Sequence, residues 1–318
     1  LPAEGWVEAE YDLKPAAWYF RADRSGILPY CVMMEIALQA CGWLAAYAGS
    51  ALRSQRGLRF RNLDGRATLL RDVPPCRATL TTRCRMKKMS ASGDMLIESF
   101  EFQVLLKDVV IYEGDTSFGF FTREALQAQK GIAAAEGPVE LEADPTGRSI
   151  DLKDEPPLTP EDPDEKPGRG AALPARALRM IDRIDTYLPD GGPHGLGYLR
   201  AIKTVDPSEW FFKAHFFQDP VCPGSLGVES FLQLLKFAAL QRWPALADSR
   251  RFVHRLQKPH TWKYRGQILP HNRRVEVIAA ITAIEEGPEP ELRADGWLKV
   301  DGLTIYHLKD FGIAMAKI

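Results

Sequence analysis

Two stretches of the chain, 32–48 and 225–240, are rich in Ala, Leu, Met, Phe and Gln and are apolar on most of their helical faces. A helix with so little polar side is buried, so the pattern predicts two central helices, each enclosed by other structure. The segments around them have a different period. Residues 77–86, 95–107, 274–282 and 293–298 alternate, or concentrate β-branched and aromatic residues, which predicts strands of an antiparallel sheet. The order strand, apolar helix, several strands occurs twice. The expectation is an α+β chain in which a long sheet wraps around one helix, in two copies.

The duplication is also visible residue by residue, and a repeat has to be found before local structure is assigned. Gly5 to Phe20 lies over Gly197 to Phe212 without a gap, with glycine, alanine, proline and tryptophan at matching places. After two residues drop out of the first copy, Pro29, Glu35 and Gln39 fall on Pro223, Glu229 and Gln233. Ile111-Tyr112 and Phe118-Gly119 echo Ile305-Tyr306 and Phe311-Gly312. We divide the chain into a first unit over 1–130, a linker over 131–172 and a second unit over 173–318. Within the linker, residues 136–165 hold eleven acidic and two basic residues broken by six prolines. Such a stretch buries too little apolar surface to offset its ordering entropy, so it is expected to run as a spacer on the surface.

Composition narrows the class. The 318 residues are 45% hydrophobic and 26% charged, with a net charge of −1, an ordinary folded composition without the basic footprint of a nucleic-acid binder. No apolar run approaches the roughly 18–20 residues of a membrane span. Five scattered cysteines without a C-x-x-C pair give no zinc or redox signature, and a reducing cytoplasm is the simplest setting. The start at Leu1, inside a strand-like pattern, reads as the beginning of an excised piece of a longer polypeptide.

Candidate chemistry concentrates between Trp210 and Gln233. His215 sits among Trp210, Phe211, Phe212, Phe216 and Phe217, followed by a turn on Asp219-Pro220 and Pro223-Gly224 and then the second central helix. Proline at a helix start leaves unpartnered N–H groups at the positive end, and Gly224 lets a ligand approach them, an arrangement suited to an oxyanion. Glu229 and Gln233 share one helical face. Elsewhere, His254, His260 and His271 lack partners at metal-ligand spacing, and Gly191-Gly192-Pro193 lacks the context of a dinucleotide site. Between 51 and 90, eleven Arg and Lys residues stand against Asp64 and Asp72. That run is either a solvated face or a docking face for an acidic partner.

The stretch through His215, Asp219-Pro220-Val221, Pro223-Gly224, Leu226-Gly227 and Gln233, with Leu173-Pro174 and Met180 to Ile184 upstream, resembles the active-site segment of the bacterial 3-hydroxydecanoyl-thioester dehydratase/isomerases, which have the hotdog fold. Residues 28–47 of the first unit resemble the dehydratase region of polyunsaturated fatty acid synthases and related glycolipid synthases, large enzymes in which two hotdogs are fused. The resemblance implies a double hotdog. It further implies dehydration of a 3-hydroxyacyl thioester delivered on the phosphopantetheine of an acyl carrier protein, with no other cofactor and no metal, beside neighbouring synthase domains.

In that family the histidine and carboxylate come from facing hotdogs. Carried over, His215 is the base, Glu35 of the first unit the acid, and Gly224 the oxyanion donor, with Val221, Cys222 and Gln39 lining the substrate site. Two departures stand out. Both copies carry glutamate where the dehydratase/isomerases have aspartate, and the first copy has Arg21, Ala22 and Asp23 where a histidine is expected, which makes Glu229, Arg21 and Asp23 a vestigial half-site. The order of acid before histidine also reverses that of modular polyketide dehydratases. A thioesterase on the same fold and a non-catalytic carrier-docking scaffold are the alternative readings.

Overall fold

The alternating segments become strands of one antiparallel sheet in the computed structural model, which describes residues 5–53, 57–92, 95–139, 141, 149–152 and 170–318. The first half contains β1 (Trp6–Leu13), α1 (Trp18–Asp23), α2 (Tyr30–Tyr47), β2 (Arg59–Leu69), β3 (Ala78–Ser92), β4 (Met95–Leu106), β5 (Val109–Phe121) and α3 (Arg123–Gln127). The second contains β6 (Ile150–Asp151), β7 (Arg183–Leu188), β8 (Tyr198–Thr204), α4 (Trp210–Ala214), α5 (Gly224–Arg242), β9 (Arg250–His254), β10 (Pro259–Tyr264), β11 (Arg274–Glu285), β12 (Glu291–Val300) and β13 (Leu303–Lys317). The strands run β1-β3-β4-β5-β2 and continue directly into β10-β13-β12-β11-β8-β7-β6, with β9 on β13. Each half of the sheet wraps its own apolar helix, and α2 packs on α5 at the centre. This is a double hotdog.

The two halves meet where β2 pairs antiparallel with β10, Thr68 opposite Pro259 through Asp64 opposite Lys263. Gly65 faces Trp262 there, and a β-carbon on Gly65 would lie 2.0 Å from the indole. Glycine is the residue that fits. The indole N–H reaches across to Asn62 Oδ1 at 2.6 Å, and Arg265 grips both carboxylate oxygens of Asp64 at 2.9 Å. The repeat's own tryptophans meet across the halves as well, Trp18 against Trp210 edge to face at 5.3 Å.

Two details go beyond the expectations. Described parts of the segment between the units touch the second half. Ile132 is buried with its N–H on Thr304 O at 2.8 Å, Glu136 pairs with Lys263 at 2.5 Å, and β6 adds to the sheet beside β7. Its isolated apolar residues and free backbone groups find partners on the second half. Most of the acidic, proline-rich stretch lies outside the described residues. The first helix is also less enclosed than its pattern predicts: Trp43 and Tyr47 stack on each other at the surface, 56% and 77% exposed. Phe237, in the matching position of α5, instead packs against Tyr187.

Gly65→Ala is expected to lower stability by about 1–3 kcal/mol, the usual cost of forcing extra volume into a packed contact. Denaturant titration should show a lower midpoint, and an unchanged midpoint would mean that the seam is not close-packed.

Candidate active site

α4 ends at His215, and the loop that follows returns to the start of α5 through Gln218, whose left-handed backbone (φ 54°) makes the turn. The loop is held from the other half. Arg61, on β2 and only 5% exposed, donates to both carboxylate oxygens of Asp219 at 2.7 and 3.0 Å and to Gln267 Oε1 at 3.1 and 3.0 Å. Arg59 adds a contact to Asp219 at 2.8 Å. Together they hold the Asp219 carboxyl below its ordinary range, although burial alone would raise it.

His215 Nδ1 lies 2.9 Å from the Val221 carbonyl oxygen. A carbonyl can only accept, so Nδ1 carries the proton and Nε2 of the neutral ring holds the free lone pair. Burial pulls the His215 pKa below the ordinary imidazole value, opposed by the neighbouring Glu35 and the bond to Val221. Glu35 reaches the same cleft from α2, in the opposite half, and accepts the Ser225 hydroxyl on Oε1 at 2.6 Å. The N–H groups of Gly224 and Ser225 open α5 and have no partner within the helix. Tyr264, Tyr306 and Phe118 help to close the walls around about 80 Å³ of space.

The structure thus brings His215, Glu35, Gly224, Val221, Cys222 and Gln39 to one cleft. Their detailed placements differ from simple lining. Val221 contributes its carbonyl to the histidine. Gln39 is exposed and reaches Glu35 Oε2 at 3.5 Å. Cys222 is buried, which pushes its thiol well above the usual range and makes it a wall residue. Ser225 and Arg61 were not singled out by the sequence. A serine at a helix start carries no functional signal, and Arg61 was one member of a basic run. That run is not one uniform face. Arg59 and Arg61 turn inward to Asp219, while Arg83 pairs with Glu8, Arg85 with Glu101 and Lys87 with Asp115 on the outside of the sheet. Arg56 lies outside the described residues.

The matching half-site is filled. Asp23 takes the position of His215, and Lys236, where the repeat places Gly42 in the other copy, bridges Asp23 at 2.7 Å and Glu229 at 3.7 Å. Arg21 is half-buried on α1, two residues before Asp23 in sequence. Burial acts to raise Asp23, but Lys236 and the Ser25 hydroxyl outweigh it and hold the carboxyl low. Burial keeps Glu229 above its ordinary value, against the pull of Lys236. Tyr30 stands where Gly224 stands in the second unit, and its hydroxyl bonds Tyr112 at 3.0 Å and His260 Nε2 at 2.7 Å. His254 pairs with Asp72 at 2.6 Å, and His271 is exposed. Among the described residues, no three His, Cys, Asp or Glu side chains gather as a metal site.

Comparison with known proteins gives a match of residues 173–309 to the FabA-like domain. The chain is 33% identical to a polyunsaturated fatty acid synthase subunit of Thraustochytrium sp. over 99% of its length, and spans 22% of that protein. The fold resembles an oleoyl thioesterase structure from Lactobacillus plantarum (TM-score 0.52, 11% identity, 99% of this chain and 97% of that one). It also resembles the CurJ dehydratase (TM-score 0.50, 13% identity, 100% and 93%). These two likenesses concern the fold alone, which dehydratases and thioesterases share. No helix is long and apolar enough to cross a membrane among the described residues.

Replacing Lys236 by Met would strand the Asp23 charge in the interior. Breaking a buried pair in this way costs about 3–5 kcal/mol. Because the Asp23 pKa is depressed in the fold, the stability it contributes is present above the ordinary carboxylate value and lost as pH falls. The deficit of Lys236→Met should therefore hold from neutral pH down to about pH 4 and shrink only below it, as denaturation at several pH values would show.

Proposed function

We propose that this double hotdog, whose second unit matches the FabA-like domain and whose whole length is similar to part of a polyunsaturated fatty acid synthase subunit, dehydrates 3-hydroxyacyl thioesters carried on an acyl carrier protein. The observation that carries this reading is the convergence, in one cleft at the start of α5, of a histidine with a free Nε2 and a glutamate from the opposite unit. A base and an acid on different walls suit an elimination, in which a proton and a hydroxyl leave adjacent carbons.

His215 Nε2 removes a proton from C2 of the substrate. The electron pair moves toward the thioester carbonyl, and the Gly224 N–H at the positive end of α5 stabilises the developing enolate oxygen. The pair then returns to form the C2–C3 double bond as the C3–O bond breaks, and Glu35 protonates the departing hydroxyl, which leaves as water. The product is the trans-2-enoyl thioester, and the proton on His215 restores Glu35 through solvent after release. A base that also reaches C4 would move the double bond to cis-3, and product analysis with a defined acyl thioester tests for that second step. The carrier protein and neighbouring synthase domains are the proposed partners, in keeping with the multidomain relative.

Incubation with a 3-hydroxyacyl thioester separates this reading from its rivals. Enoyl product without free thiol supports dehydration, free thiol marks a thioesterase, and untouched substrate marks a scaffold. His215→Ala and Glu35→Gln should each slow dehydration by about 10²–10⁴-fold, the usual weight of a general acid or base. Glu229→Gln should change the melting temperature before it changes the rate, since Glu229 belongs to the filled half-site. In a pH profile of kcat/KM, the acid limb should fall below about 6.5, the value of a free imidazole, because burial keeps His215 neutral further into acid. A limb above that value would remove His215 as the base.

A further inference from the structure

Glu35 belongs to a unit that supplies no base, and its side chain has one more rotatable bond than an aspartate. Something must choose its position. Resting on the dehydratase reading above, we propose that Ser225 is the positioning residue for Glu35: its hydroxyl crosses between the units and fixes Oε1, leaving Oε2, which Gln39 reaches only at the long distance of 3.5 Å, to face the substrate hydroxyl at C3.

Three observations carry this. The Ser225 hydroxyl donates to Glu35 Oε1 at 2.6 Å, and Ser225 is itself buried, 2% exposed. A helical serine ordinarily bonds the carbonyl three or four residues back, as Ser230 does with Gly227 O at 2.6 Å. Ser225 is the second residue of α5, and the residues three and four back, Cys222 and Val221, lie before the helix begins. The hydroxyl therefore has no helical carbonyl behind it and bonds the acid of the opposite unit instead. The filled half-site supplies the contrast. There Cys31 occupies the position of Ser225, and Glu229 is held within its own helix by Gln233 at 2.9 Å and Lys236 at 3.7 Å. A thiol is a weak donor, and no bond from Cys31 to Glu229 forms among the described residues. The donor that crosses the interface is present on the side that also has the histidine.

The test is a double-mutant cycle on the full chain with a 3-hydroxyacyl thioester. Ser225→Ala should lower kcat about 10-fold with KM within about twofold, the scale of one lost hydrogen bond to a carboxyl group in the transition state. Ser225→Cys, which keeps the shape and places here the residue found at position 31, should behave like alanine. In the Glu35→Gln background, measured on its residual rate, Ser225→Ala should cost less than about twofold, because the group it positions is gone. Loss of the same factor in both backgrounds, or unchanged kcat in both serine variants, would overturn the proposal while leaving the dehydratase reading intact. Failure of that reading would show separately, as absence of enoyl product from the unaltered chain.

Discussion

The antiparallel pairing of β2 with β10 is the contact on which the rest of the molecule depends. It joins two half-sheets into one, and a sheet that long must twist as a unit. The helices inside its two concave faces are thereby set against each other. Without that seam α2 would carry a glutamate to open solvent, and α5 would present an empty anion site. With it, Arg61 on β2 is brought under the loop after His215, and its paired hydrogen bonds to Asp219 draw that loop toward the opposite unit. The cleft follows from main-chain hydrogen bonds between strands that contain none of its catalytic groups.

Much of this was legible in the chain. Both central helices were readable because burial on most sides leaves a compositional mark, and 32–48 and 225–240 agree with α2 and α5 to within two residues at each end. The repeat places Glu35 and Glu229 in equivalent positions by sequence alone. The resemblance to the dehydratases then set Glu35 against His215. β2 itself was hidden inside a basic run, since alternating arginines look alike whether they face water or an ion partner. Arg61 differs from Arg66 only in what lies opposite, and its partner is 158 residues away. Lys236 was illegible for the same reason. Within an apolar helix it reads as a solvated position, and the two carboxylates that hold it inside come from Asp23, more than two hundred residues earlier, and from its own helix.

The halves share a backbone plan and differ through a handful of side chains. Aspartate stands for histidine, tyrosine for glycine, cysteine for serine and lysine for glycine. These exchanges act together. A lysine at position 236 requires neighbouring carboxylates, Asp23 provides one, and the Tyr30 ring occupies the room that a ligand would need at the helix start. Asp23 or Lys236 alone would leave a buried charge without its partner. Combined, they give a paired and filled interior, and that cooperativity explains how an ion cluster persists at the centre of a hydrophobic core.

A consequence follows from the single chain that carries both halves. In a symmetric pair of identical protomers, any substitution appears twice, so an ion cluster that closes one cleft would close both and end catalysis. Covalent duplication removes that coupling. One cleft stays free to keep its histidine, while the other can accumulate changes that only hold the halves together. The seam between β2 and β10 is then also released from self-complementarity: Gly65 need only admit Trp262, and Trp262 need never meet another copy of itself. Chain fusion thus turns a contact that must fit its own mirror partner into one between two surfaces free to drift apart in shape, and asymmetry of the two clefts becomes heritable.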